Sequence, residues 1–271
     1  MTQATVQLPD YAIHHPAAAV ANGASIFLLH GAFGAKEYWR EQLRALTDAG
    51  YRVVSWDAPG YGISALPQAL TIDHCARALA LLLAHEGGAR NIVMGHSMGG
   101  MIAQQAWRHA REHIHGYVFS ATSASFGKAD GEWQQEFVRE RVAPLDAGKS
   151  IPDYAPVMLR AMMANDANGP TVDLVIDTVS QMREATFRAA VAAIVGFEGR
   201  DLLPMFDIPV LCIAGALDAT APAAVMQKMA TKIAGAEFAV LPGLGHFGWA
   251  EDPPRFNKVV LEFLQRRLTN I

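Results

Sequence analysis

A chain of 271 residues, 51% hydrophobic and 18% charged, can bury one substantial core and still carry a modest insertion. Its formal charge of −4 gives no electrostatic case for nucleic acid or an anionic membrane surface. No apolar run approaches the ~18 residues of a membrane span. Cys75 and Cys212 are far apart in apolar segments, so they read as small buried hydrophobes and not as a bridge or a metal pair. The first residues, MTQATVQLPDYAIHH, lack a basic stretch followed by an apolar one, so no secretory signal is visible and a cytoplasmic location is expected.

In chain order, SIFLLH (25–30) is the first strong strand, followed at once by GAFGAKEYW. A helix is predicted from about Lys36, with Trp39, Leu43 and Leu46 on one face and Gly50 at its end. YRVVSWD closes a second strand at Asp57 and runs into the turn-rich APGYGIS. Thr71 or Asp73 caps the next helix, whose apolar residues continue to Leu83. NIVM (91–94) then leads through GHSMGG into a helix, and HGYVFSA (115–121) gives another strand. Strands that are apolar on both faces and alternate with helices predict a mostly parallel sheet covered on both sides.

That rhythm breaks between about Ser123 and Arg200. WQQEFVRERVAPL, YAPVMLRAMMAN, TVDLVIDTVSQM and TFRAAVAAIVGF read as three or four amphipathic helices with no strand among them. Strands return at IPVLCIAG and EFAVLPG, and PPRFNKVVLEFLQRRL closes the chain as a helix. The expected organisation is a core of residues 1–122 and 201–271, with a helical lid at 123–200.

GHSMG (95–99) places Ser97 in G-x-S-x-G between a predicted strand and a predicted helix. The chemistry needs a sharp turn that lifts a hydroxyl above the sheet, with small residues on either side and a helix N-terminus facing the developing negative charge. A serine needs a positioned base, and His246, in LPGLGHFGWAE after the last strand, is the candidate. Asp218, in GALDATAP just past VLCIA, is the candidate acid that orients the imidazole. Asp207 precedes that strand and belongs at its other end, and no Asp or Glu lies between Val118 and Lys128. The amides of Ala32, after the first strand, and Met98, after the serine, are candidate oxyanion donors.

The ordered set HG…W, DAPGYGIS, GHSMGG, GALD and PGLGH resembles the α/β-hydrolase superfamily over essentially the whole chain. The resemblance implies an eight-stranded, mostly parallel sheet flanked by helices, with the lid inserted after the sixth strand. It also carries the nucleophile, acid and base roles onto Ser97, Asp218 and His246. The segments REATFRAAVAAIVGFEGRDLLPMFDIPVLCIAGALDATAP and LPGLGHFGWAEDPPRFNKVVLEFL look most like the 3-oxoadipate enol-lactonase branch. Haloalkane dehalogenases and epoxide hydrolases place Asp where this chain has Ser97.

The expected reaction is therefore acyl transfer from a small-molecule ester or lactone to water, with no metal and no organic cofactor. Carbon–carbon cleavage of a diketo acid, amide hydrolysis and a non-catalytic ligand-binding role stand as alternatives. Candidate substrate contacts are Phe33, Phe126, Trp133, Phe137, Met158, Met162, Arg183, Phe187, Phe247 and Trp249. Arg139, Arg160 and Arg188 join Arg183 as candidate carboxylate partners. An apolar lid face is a candidate surface for a homodimer.

Overall fold

The computed structural model describes residues 6–128 and 130–268. Its frame is a seven-stranded sheet: β1 (Asp10–His14), β2 (Ala24–Leu29), β3 (Arg52–Asp57), β4 (Arg90–His96), β5 (Gly116–Ser120), β6 (Val210–Gly215) and β7 (Glu237–Leu241). The spatial order is β1-β3-β2-β4-β5-β6-β7; β1 pairs antiparallel to β3 and every other pair is parallel. The helices are α1 (Arg40–Asp48), α2 (Ile72–Glu86), α3 (Met98–Ala110), α4 (Glu132–Asp146), α5 (Ile151–Arg160), α6 (Pro170–Ser180), α7 (Glu184–Val195), α8 (Ala223–Ala230), α9 (Gly248–Glu251) and α10 (Pro253–Leu268).

The central strands β2, β5 and β6 are buried at every residue, because helices cover both faces of a parallel sheet. The edge strands β1 and β7 are half-buried for most of their length. α1 packs on α10 and α2 packs on α3. Thr71, and not Asp73, caps α2, accepting the His74 amide at 3.0 Å. Both cysteines are free and buried.

The eight-strand expectation is corrected to seven among the described residues. Upstream of β1, Val6–Pro9 form no strand, and Pro9 has no N–H to give to a ladder.

Between β5 and β6 the chain makes α4–α7. The segment leaves and returns through a narrow neck: Phe126 N–H donates to Phe197 O at 3.2 Å and Gly199 N–H to Ala124 O at 2.8 Å. Among the described residues, no helix is long and apolar enough to cross a membrane.

Candidate active site

Ser97 sits between the end of β4 and the start of α3 with φ 52° and ψ −118°, a conformation that a non-glycine residue holds only under strain. Neighbours fix it: Ser97 N–H donates to Ser120 O at 2.9 Å, and Thr122 Oγ1 donates to Ser97 O at 2.7 Å. The flanking glycines are demanded by packing. A Cβ at Gly95 would stand 2.6 Å from Gly100 N, and one at Gly99 would stand 2.7 Å from His30 O and closer still to Leu29 O. These are backbone atoms, so neither contact can be relieved by a rotamer change.

His246 follows β7 in a loop that returns over Ser97, and both residues line the same cavity. Its Nδ1 is 2.8 Å from Asp218 Oδ2, and both side chains are buried. Asp218 Oδ1 accepts the amides of Thr220 (2.8 Å) and Ala221 (2.9 Å). Burial pushes the Asp218 carboxyl up, but the His246 charge and hydrogen bond, with those two amides, hold it below the usual carboxylate range. The pair therefore places the ring proton on Nδ1 and leaves Nε2 as the basic nitrogen.

The loop after β2 is held just as firmly. Gly31 N–H donates to Tyr38 Oη at 2.9 Å and Tyr61 Oη donates to Ala32 O at 2.8 Å. His30 accepts the Ala58 amide at Nε2 (3.1 Å), so its proton is on Nδ1, 2.8 Å from Gly31 O. Burial keeps this imidazole neutral, pushing its pKa down against the opposing pull of Asp57. The Ala32 amide has no protein acceptor among the described residues. Met98 opens α3, where the first-turn amides lack intrahelical partners.

The cavity has a volume of about 350 Å³, within the small-ligand range, and lies between the strand ends and the helical segment 123–200. Ala32, Phe33, Ser97 and His246 line it from below. Phe126, Trp133, Phe137 and Met162 line it from above.

Five of the expected contacts lie off this wall. Met158, on α5, packs against the core. Arg183 donates Nη2 to Gly60 O at 2.6 Å in a separate outer cleft. Phe187 is fully buried behind Phe33, with ring centroids 5.1 Å apart. Phe247 borders only a minor void beneath Ser97, beside His96. Trp249 is fully buried, packed at a tilt against the rings of Tyr38 and Trp39. The other named arginines pair at the surface: Arg139 with Glu136, Arg160 with Asp173, and Arg188 with Glu184 and Asp146.

Two residues that sequence reasoning missed complete the site. Glu251 accepts three amides, from Ala164 (2.9 Å), Gly245 (2.8 Å) and Phe247 (3.0 Å), clamping the His246 loop on both sides. His246 N–H itself donates to Met162 O at 2.8 Å, tying that loop to the segment after α5. Arg141, on α4, lines the cavity with its side chain only 5% exposed. Its spacing is the missed signal: Trp133, Phe137 and Arg141 recur every four residues and so share one helix face. Among the described residues, no group of three or more His, Cys, Asp or Glu is arranged to hold a metal.

The model of the alpha/beta hydrolase family matches residues 26–259. A candidate carbamate hydrolase from Variovorax paradoxus is 27% identical over 262 residues, 94% of this chain and 96% of the relative. A pimeloyl-acyl-carrier-protein methyl ester esterase from Vibrio cholerae is 24% identical over 252 residues, 90% of this chain and 95% of the relative. Among solved structures, the enol-lactonase from Burkholderia xenovorans superposes with a TM-score of 0.79 at 25% identity, covering 94% of this chain and 96% of that one.

Proposed function

The chain belongs to the alpha/beta hydrolase family, and from that premise we propose that it is a serine-dependent hydrolase cleaving an ester or lactone of a small molecule through an acyl-enzyme. The observation that carries this reading is the geometry around Ser97: a strained serine shares a cavity wall with His246, whose Nδ1 is paired to the buried Asp218 carboxylate at 2.8 Å. A hydrolase with no triad would have little reason to maintain that strain and bury that ion pair together.

In this reading His246 Nε2 takes the Ser97 proton as Oγ adds to the substrate carbonyl carbon. The negative charge that forms on the carbonyl oxygen is met by the amides of Ala32 and Met98. Collapse breaks the bond to the leaving oxygen, which takes the proton from His246. Water then adds to the acyl-serine with His246 again accepting its proton, and the carboxylic acid leaves as Ser97 regains its hydrogen. Asp218 keeps the imidazole in the required tautomer throughout.

Residues 123–200 serve as a lid over the core of 1–122 and 201–271. What supports this is that Trp133 and Phe137 of α4 line the roof of the cavity, which limits water around the reacting carbonyl. The choice of ester or lactone is supported by the esterase and the enol-lactonase among the relatives.

The test is turnover of p-nitrophenyl acetate, together with labelling by a fluorophosphonate and mass-spectrometric location of the adduct. Ser97→Ala should lower kcat by at least about a thousandfold and abolish labelling. Undiminished turnover in that variant overturns the reading.

A further inference from the structure

We propose that Arg141 is an anion receptor inside the cavity, selecting substrates that carry a carboxylate distant from the bond to be cleaved. The assignment rests on the hydrolase reading of the same cavity. Its starting point is a cation with too few partners. The Arg141 side chain is only 5% exposed, yet its Nε has no hydrogen-bond partner among the described residues. Nη1 donates to Phe137 O at 3.0 Å, and Nη2 reaches only the Met162 sulfur, at 3.9 Å.

No carboxylate neutralises it well. Glu140 Oε2 is 3.8 Å from Nη1, beyond hydrogen-bond length, and Glu140 itself is solvated with 61% exposure. No Asp or Glu lines the cavity. The guanidinium lies over the Phe137 ring at 3.6 Å, with the Phe33 ring 6.0 Å away, so aromatic faces hold its plane without consuming the in-plane N–H donors. Burial pulls its pKa down to about 10, which still leaves it charged at neutral pH.

A buried guanidinium on the cavity wall, stacked on Phe137 and without a close carboxylate partner, matches the fork geometry of a carboxylate. A phosphate could meet the same donors, but a cavity of about 350 Å³ with no second cation favours the smaller, singly charged group. A purely structural cation–π role explains the stacking. It does not explain the absence of a close carboxylate partner or the position on the cavity wall.

The experiment compares monoethyl adipate with diethyl adipate, which share a scissile bond and chain length but differ by one charge. Wild-type enzyme should favour the half-ester in kcat/KM. Arg141→Met should lower the half-ester to diester ratio by about 10- to 100-fold, chiefly through KM, as expected when charged hydrogen bonds are removed. Arg141→Lys should keep part of the ratio, because it returns the charge without the fork. A wild-type enzyme indifferent to the charge, or an unchanged ratio in Arg141→Met, overturns the proposal, and the wild-type comparison stands even where that variant fails to fold. Calorimetric titration of the Ser97→Ala protein with monoethyl adipate separates this inference from the hydrolase reading. Binding weakened at least about tenfold by adding Arg141→Met supports the receptor even where neither ester is turned over. Equal binding, or none, overturns it.

Discussion

Asp218→Asn offers the sharpest perturbation of the site, because the structure dictates how the new amide must lie. Asp218 Oδ1 accepts two amides, from Thr220 and Ala221, at 2.8 and 2.9 Å. Asparagine must present its oxygen to them. The flipped orientation would set an NH₂ against both N–H groups and leave them unsatisfied, at about 1–3 kcal/mol each. The Nδ2 group then faces His246 Nδ1, which had been 2.8 Å from a carboxylate oxygen. To accept that hydrogen bond, Nδ1 must surrender its proton to Nε2, and the nitrogen that should act as base is blocked. A substitution that enforces the wrong tautomer in a serine triad lowers kcat by roughly 10⁴, equivalent to about 5 kcal/mol of transition-state stabilisation. Because the volume and two amide bonds persist, the fold should be retained. Steady-state hydrolysis of p-nitrophenyl acetate, beside a thermal unfolding curve, measures both. A variant that stays folded and within tenfold of wild-type kcat would refute the tautomer argument.

Glu251→Gln must turn one donor group toward an amide in the clamp around His246, which costs about 1–3 kcal/mol and shows as a lower Tm. Gly99→Ala sets a Cβ against the His30 and Leu29 carbonyls and should destabilise by about 1–3 kcal/mol. Gly88→Ala, whose Cβ meets only Ser25 Oγ at 3.7 Å, should stay within about 0.5 kcal/mol, and equal effects in denaturant titrations would refute the packing account. For pH, Asp218 has a folded pKa below its unfolded value. Its contribution to stability is complete above the unfolded value of about 3.9 and is lost as pH falls through the folded one. Wild-type Tm should therefore fall more steeply than that of Asp218→Asn below about pH 4.

The sequence exposes those parts of the fold whose physics is local. A strand buried on both faces leaves an uninterrupted apolar run, and β2, β4 and β6 are each read correctly from theirs. A sharp turn between strand and helix needs small flanking residues, so Gly95 and Gly99 advertise Ser97. β1 escapes because DYAIH is short and half-buried, and it is stabilised by its register with β3, where Asp10 pairs with Asp57 and His14 with Val53. Glu251 escapes for the same reason: it reads as one more acidic residue in a helical turn, and its three amide partners lie in two loops brought together only by folding.

Arg141 shows where one more step of inference from sequence was available. In WQQEFVRERVAPL two arginines stand two residues apart, and composition cannot choose between them. Helical geometry can. Trp133 and Phe137 are four residues apart on one face, and the next position on that face is 141, whereas Arg139 lies about 200° round from Phe137. The structure follows this rule, with Arg139 paired to exposed Glu136 and Arg141 among the aromatics of the cavity. Periodicity can thus identify the arginine that shares a buried face, but it cannot reveal that this guanidinium lacks a counter-charge there. That depends on Glu140 pointing into solvent and on a cavity wall that carries no Asp or Glu. An uncompensated buried charge is a property of the assembled pocket, and the proposed preference for an acidic substrate rests on it.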